Sequence, residues 1–486
     1  MALNTSERTA TLLGTGAGSE PMNPEETEDR ALFVAPDYSE LLSSQQADRY
    51  ATKIANQYHF VSLNKHSALW TYNPKSGIWT DDGEENIESY MRQHLLGEEF
   101  SSHLTQEIET AIRHQTYNET ANFGGKTDEI VLQNGTLNLT TLGFSHEFNP
   151  ESYHVAALPV SYDPNAKCPM FDRFLEQVIP DETDRKAIIE FFGYCLFKSY
   201  IYAIVVLLVG SGANGKSILL SILRSFLGAD NVTAVTPQQM YSSQFASSRL
   251  YHKLANIAGD IPASAIKDTG TLKLLSGEDM VTAQQKYREP FEFNNYAKLI
   301  FAANQTPETL DSSNAFHRRF HIIDLPNTFN PTDPGYIPGD KLKASLTTPE
   351  ELSGMLNEAI DGLKRLMQQG DLSGTTTVED RKLDYINRSD PAHYFLMRFV
   401  KEDADNPCPI PRDTLYKLYT DFCHSTGRVP KANTVFGKKV KQFVPFVDER
   451  KTRDPDSSSD KQEWRYYGVR FDQAAYDKET AHSGQI

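Results

Sequence analysis

The chain has 486 residues, enough for roughly three domains, and 26 Phe and 23 Tyr supply core material. A net charge of −17 and a pI near 5.3 exclude global basic character, so any nucleic-acid contact must come from a local surface. The four cysteines, Cys168, Cys195, Cys408 and Cys423, form no CxxC pair, which argues against a zinc module or disulfide framework, and the apolar run 201–209 is far too short to span a bilayer. With no secretory signal, the expected location is reducing, cytoplasmic and not secreted.

Residues 1–40 are rich in Thr, Ser, Gly, Glu and Pro and read as a disordered tail. An α+β domain is expected over 41–163. Helical LLSSQQADRYATKIANQYHF leads to two aromatic strands, Leu69–Tyr72 and Gly77–Thr80. Two more helical stretches follow, and IVLQNGTLNL (130–139) reads as a hairpin with an Asn-Gly turn. Trp70, Tyr72 and Trp79 suit either hairpin core or stacking on bases. Residues 164–200 form two helices broken at Ile179-Pro180, with Asp181 or Thr183 as N-cap.

The stretch VVLLVGSGANGKSILLSILRSFLG (205–228) is a buried parallel strand, a glycine loop and a helix. The loop Gly210-Ser211-Gly212-Ala213-Asn214-Gly215-Lys216-Ser217 fits G-x-x-x-x-G-K-S. Its glycines let backbone N–H groups approach phosphate oxygens, and the helix N-terminus adds positive potential. Lys216 can reach the β- and γ-phosphates of ATP, and Ser217 can ligate Mg²⁺.

Leu254–Ala258 is a second buried strand ending at Asp260, a carboxylate expected beside the phosphate loop where Mg²⁺ needs one. The next stretch, 271–295, holds a short helix and two strands around a tip of Gln285, Lys286, Tyr287 and Arg288. Two cations about one aromatic suit a phosphate backbone and a stacked base, or simply a solvated turn. AKLIFAAN (297–304) is a third buried strand ending in Asn304, an amide able to orient water or touch the γ-phosphate. Arg318 and Arg319 precede a fourth strand, where an arginine can serve a neighbouring subunit's nucleotide.

GSGANGKS, IAGDIP, SGEDMVTAQQKYREPFEF, LIFAANQTP and FHRRFHIIDLP, in that order, resemble the superfamily 3 helicases of viruses and plasmids. The likeness is to the helicase part of phage and plasmid primase-helicases, related to the poxviral primase-helicase, and extends more loosely over 45–471. It implies an α/β fold: a P-loop, AAA+-like ATPase core over 201–328, with a helical collar at 164–200. The apolar face of Leu352, Met355, Leu356 and Ile360 makes 329–390 read as a helical lid against the motor. The resemblance also implies that Gly215, Lys216 and Ser217 are the Walker A loop, Asp260 the Walker B acid and Asn304 the motif C polar residue. Lys286 and Tyr287 match the DNA-tracking hairpin pair, and Arg319, with Arg318 second, matches the trans-acting arginine. One departure stands: family members often carry two neighbouring acids at Walker B, and here Gly259 precedes Asp260. Either Asp260 does both jobs or another carboxylate enters, with Asp268, Glu278 and Asp279 as candidates.

After the lid, 391–475 reads as helix, helix and strand hairpin, the order of a winged helix, and 476–486 as a tail. Lys438, Lys439 and Lys441 cluster on the second helix, and WRYYGVRF (464–471) reads as one final strand. From Pro391 to Phe471 there are 15 Lys and Arg against 11 Asp and Glu, a net of +4 that points to DNA or to a protein-docking face. The acidic-serine run 454–460 would be the wing or a flexible loop.

The resemblance therefore implies an ATP- and Mg²⁺-dependent DNA helicase, a homo-hexameric ring moving 3′ to 5′ at a host-cell replication site. The alternative is an origin-binding or loading factor with little unwinding. No stretch before the motor is long enough for a primase domain and no strand carries paired aspartates, so priming by this chain is not expected, and a separate primase or polymerase is a candidate partner.

Overall fold

The computed structural model describes residues 43–63, 68–94, 101–262, 266, 269–286, 288–309, 311–404, 408–426, 428–453 and 462–482. The tail over 1–40 and the acidic run 454–460 lie outside these. The backbone divides into two units: residues up to Thr71 with Asp81–Thr120, and Tyr72–Thr80 with everything from Ala121.

The N-terminal stretch contains α1 (Ser43–Gln57), β1 (His59–Ser62), β2 (Leu69–Asn73), β3 (Ile78–Thr80), α2 (Gly83–His94) and α3 (Ser102–Gln115). In the first unit, Ala47, Ala51 and Ile54 fall at helical spacing on α1 and bury with Ile108 and Ile112 of α3. Ser101 caps α3 by accepting from Leu104 N at 3.1 Å.

In the second unit, Trp79 is core rather than a stacking platform. Its ring packs against Phe123 and Tyr153, and Nε1 donates to Pro150 O at 2.9 Å. Tyr72 is buried too, as is Trp70 of the first unit. The Asn-Gly hairpin forms as β4 (Glu129–Leu132) and β5 (Gly135–Asn138), with β6 (Phe144–Ser145) added at the edge. Pro180 separates α4 (Pro169–Val178) from α5 (Glu182–Leu196), and Asp181 caps α5 by accepting from Asp184 N.

Next come β7 (Val205–Val209), α6 (Lys216–Leu227), β8 (Val232–Thr233), α7 (Pro237–Ser242), β9 (Ala255–Ala258) and α8 (Gly270–Leu275). The hairpin of β10 (Met280–Ala283) and β11 (Phe291–Asn294) leads to β12 (Lys298–Ala303), α9 (Asn314–His317) and β13 (Phe320–Asp324). Five of these strands make a parallel sheet in the order β13-β7-β12-β9-β8. The strand leading to Asp260 is not the immediate neighbour of the glycine-loop strand: β12 lies between them. All six residues of β12 are buried, which suits the sheet centre.

Helices α10 (Gly339–Leu346), α11 (Pro349–Gln369) and α12 (Val378–Ser389) follow. Between β13 and α10 the chain is a turn-rich strap. Helix α11 lies on α5 at backbone contact: a Cβ on Gly193 would sit 2.0 Å from Ala359 O, and one on Gly362 2.8 Å from Ile189 O. The buried Glu190 carboxylate joins the two by accepting from Arg365 Nε (3.2 Å) and Ser373 N (2.7 Å).

The C-terminal part comprises α13 (Pro391–Phe399), β14 (Val400–Glu402), β15 (Ile410–Pro411), α14 (Arg412–Ser425), α15 (Asn433–Phe443), β16 (Asp448–Arg453), β17 (Gln462–Tyr467), β18 (Val469–Phe471) and α16 (Gln473–His482). It has its own aromatic core of Phe395, Phe399, Tyr419, Phe422, Phe436 and Tyr466. The single strand expected over 464–471 breaks at Gly468, whose φ of +74° turns the chain. As a result β17 pairs with β15 and β16, and β18 with β14. Helix α16 forms where a tail was expected from 476, because Tyr476 packs on Phe395 and Phe399. Among the described residues no helix is long and apolar enough to cross a membrane.

Candidate functional site

Strand β7 delivers the chain to the loop 210–215, and α6 begins at Lys216. The loop folds back on itself only because residue 210 has no side chain. A Cβ there would lie 1.8 Å from Asn214 Nδ2 and 2.6 Å from Leu325 O. Gly215 enters the helix at φ +86°. Lys216 turns back beneath the loop, and its Nζ donates to Gly210 O (2.6 Å), Asn214 Oδ1 (3.0 Å) and Asn304 Oδ1 (3.5 Å). Asn214 in turn donates to Leu325 O at 3.1 Å, tying the loop to the end of β13. Burial holds the Lys216 amine below its ordinary pKa, and the charge of Asp260 opposes that shift.

A cavity of about 750 Å³ opens over this loop. Gly212, Ala213, Asn214, Gly215, Lys216 and Ser217 line it, with Asp260 from the end of β9 and Asn304 from the end of β12. Gly210 closes the loop from behind, and Ser211 is exposed outside the lining. Asp260 is held in the left-handed region at φ +48°, uncommon for a residue with a side chain. The next residue fixes that turn, since Ile261 N donates to Ala302 O at 2.9 Å.

Sequence reasoning missed the opposite wall. Phe174, Gln177 and Val178 of α4 line it, with Asn327, Phe329 and residues 333–337 of the strap. Asn327 Nδ2 donates to Gln177 O (2.7 Å) and Phe329 N to Ala213 O (2.8 Å), so the strap is stitched to both α4 and the loop. The Pro-, Asp- and Gly-rich run FNPTDPGYIPG was the available signal. Its Asp333 is a second carboxylate on the lining, and it accepts from Asn330 N at 2.7 Å. Glu278 and Asp279 are exposed at the base of the β10–β11 hairpin, away from the cavity, and Asp268 lies outside the described residues.

The two arginines part company. Arg319 is 6% exposed and faces inward: Nε donates to Ser276 Oγ (3.0 Å), NH2 to Lys273 O (3.2 Å) and NH1 to Ala315 O. Arg318 is exposed. At the hairpin tip Lys286 and Arg288 are exposed, and Tyr287 lies outside the described residues. On α15 Lys438 is exposed, whereas Lys439 pairs with Asp390 (2.5 Å) and Lys441 with Glu449 (2.7 Å).

Residues 57–180 match a family described as D5 N terminal like, and residues 208–319 match one described as a family of unknown function, DUF5906. Over 163 residues the chain is 30% identical to a protein of Acanthamoeba polyphaga mimivirus named as a helicase. These matches support a primase-helicase-like protein. That match spans 32% of the chain but only 17% of the mimivirus protein. Among solved structures, the apo A form of the NrS-1 C-terminal region (305–718) aligns over 88% of this chain and all of its own, at 12% identity and a TM-score of 0.44. Another apo structure of that region aligns over 90% of this chain and all of its own, with a TM-score of 0.41. The segment shared with DUF5906 runs from β7 to Arg319 and so takes in Lys216, Asp260, Asn304 and both arginines.

Proposed function

We propose that this primase-helicase-like chain is an ATP-driven DNA helicase motor for replication of a virus, phage or plasmid. One observation carries the reading: Lys216, Asp260 and Asn304, from three separate segments, converge on one cavity at the C-terminal edge of a parallel sheet. The interposed β12 supports reading the sheet as a P-loop core with an extra central strand, an AAA+-like arrangement. The cavity is of a size that suits a nucleotide.

The residues present suit Mg-ATP. Lys216 already coordinates three oxygen acceptors, so a γ-phosphate oxygen is a natural replacement for Asn304. Ser217 and Asp260 offer the hard oxygen ligands that Mg²⁺ takes, and the bound ion would neutralise phosphate charge. Asn304 orients the attacking water, and the products are ADP and phosphate. Gly259 precedes Asp260, so Asp260 holds the metal, and the water falls to it or to Asp333, the other carboxylate on the lining.

The chain acts as a homo-hexameric ring with ATP between subunits. Arg318, rather than Arg319, reaches the neighbour's phosphates, since Arg319 has its guanidinium committed within its own subunit. Lys286, Tyr287 and Arg288 track one DNA strand in the channel, 3′ to 5′. The C-terminal α14, α15 and β16–β17 hairpin act as a winged helix on duplex DNA, with Lys438 as the available lysine of its cluster.

The test is DNA-stimulated ATPase and strand separation by the wild type and by Lys216→Ala. The wild type should do both and the variant neither; equal activity would sink the motor reading. ATP turnover without strand separation would instead favour an origin-binding or loading factor, the role that the single acid at Asp260 keeps in view.

A further inference from the structure

We propose that Arg381 on α12 is a positioning residue for the trans-acting Arg318, a proposal that rests on the reading above. Its NH1 donates to the backbone carbonyl of Arg318 at 2.6 Å. Its NH2 donates to Asp371 Oδ2 at 2.9 Å. NH1 also lies 3.2 Å from His321 Nε2, and that nitrogen is 3.0 Å from Asp371 Oδ1. Arg381, Asp371 and His321 thus form a closed polar triangle, one corner of which grips the peptide that follows Arg318.

The geometry matters because Arg318 is exposed. An arginine that must meet the next subunit's phosphate needs a fixed starting direction, and the backbone on either side sets that direction. On one side the buried Arg319 is anchored to α8 through Ser276 and Lys273. On the other, the α9 turn is packed under α12 by Tyr385, whose ring meets Phe316, His317 and Phe320. Tyr385 and the Arg388–Asp324 pair (2.6 Å) already dock α12 on the motor. Arg381 adds what those contacts do not, a charged donor on the Arg318 carbonyl itself. Bidentate guanidinium geometry suits such a clamp, because one planar fork orients two acceptors together.

The experiment uses the full chain and compares Arg381→Ala, Arg318→Ala, the double variant and Lys216→Ala. Steady-state ATPase and binding of a fluorescent ATP analogue are measured, alone and in rings mixed with Lys216→Ala subunits. If Arg381 acts through Arg318, Arg381→Ala lowers kcat about tenfold or more while KM and analogue binding hold. The double variant is then no slower than Arg318→Ala, and mixing with Lys216→Ala subunits restores turnover, because the intact Arg318 and Arg381 then come from the neighbour. Asp371→Asn, which preserves size, runs the same test should Arg381→Ala fail to fold. The proposal is overturned if Arg381→Ala keeps wild-type kcat while Arg318→Ala loses it. It is equally overturned if the double variant loses the product of both effects, or if mixing rescues Arg318→Ala but not Arg381→Ala. If Arg318→Ala itself keeps wild-type kcat, the reading of Arg318 as the trans arginine fails first, and the clamp with it.

Discussion

Arg318 and Arg319 are adjacent, yet truncating them should give opposite phenotypes. Arg319→Ala removes a 6% exposed guanidinium and strands Ser276 Oγ, Lys273 O and Ala315 O, all at the junction of α8 and α9. Leaving buried acceptors unpaired costs about 1–3 kcal/mol each, and removing one partner of a buried charged network about 3–5 kcal/mol in all. We expect Arg319→Ala to be destabilised by roughly 3–5 kcal/mol, read as a lower urea midpoint. Arg318→Ala exposes nothing and should unfold with the wild type, within about 0.5 kcal/mol. Its defect should appear only as lost ATPase, recovered in rings mixed with Lys216→Ala subunits. The reasoning is refuted if Arg319→Ala unfolds at the wild-type midpoint and its lost ATPase is the one rescued by mixing.

Gly210→Ala should abolish nucleotide-analogue binding, since its Cβ would lie 2.6 Å from the Leu325 backbone carbonyl and displace Asn214 Nδ2 from its bond to that oxygen; isothermal titration showing wild-type affinity would contradict this. Gly193→Ala should cost about 2–3 kcal/mol, because its Cβ would meet Ala359 O at 2.0 Å and push α11 off α5; urea unfolding measures it, and an unchanged midpoint counts against the backbone contact. The Lys298 amine, buried at the start of β12, is pushed down to about 7 by burial, although it donates to Phe197 O and Tyr296 O and lies over the Tyr194 ring. Between that value and its unfolded 10.5 the unfolded chain holds the extra proton. The Lys298 contribution is therefore full above 10.5 and is lost as pH falls to about 7, by up to ~1.4 kcal/mol per pH unit. Lys298→Met should remove that slope, and parallel stability–pH curves for the two proteins would refute it. Lys286→Ala should keep basal ATPase and lose strand separation in a fork-substrate assay; retained unwinding would reject the hairpin's role.

What was legible in the sequence was local chemistry. Continuous apolar runs announced β7 and β12, and the 210–217 loop declared itself because glycine, lysine and serine at that spacing have few other uses. Neighbour relations were not legible. Nothing in Leu254–Asp260 says that β12 will lie between it and β7, because strand order is decided by which apolar strand best fills the sheet centre. The strap from 327 has no period to read, and it earns its place only through Asn327 to Gln177 and Phe329 to Ala213, contacts 150 and 116 residues apart in sequence. The arginine pair shows the limit most sharply. Two identical side chains in succession carry the same chemistry, and the bend after α9 alone turns one inward to α8 and leaves the other exposed. A motif can therefore name the residue types of a site. Which copy points outward is a property of backbone direction, and Arg381, 62 residues beyond Arg319 and in no motif, donates to the carbonyl of the exposed Arg318.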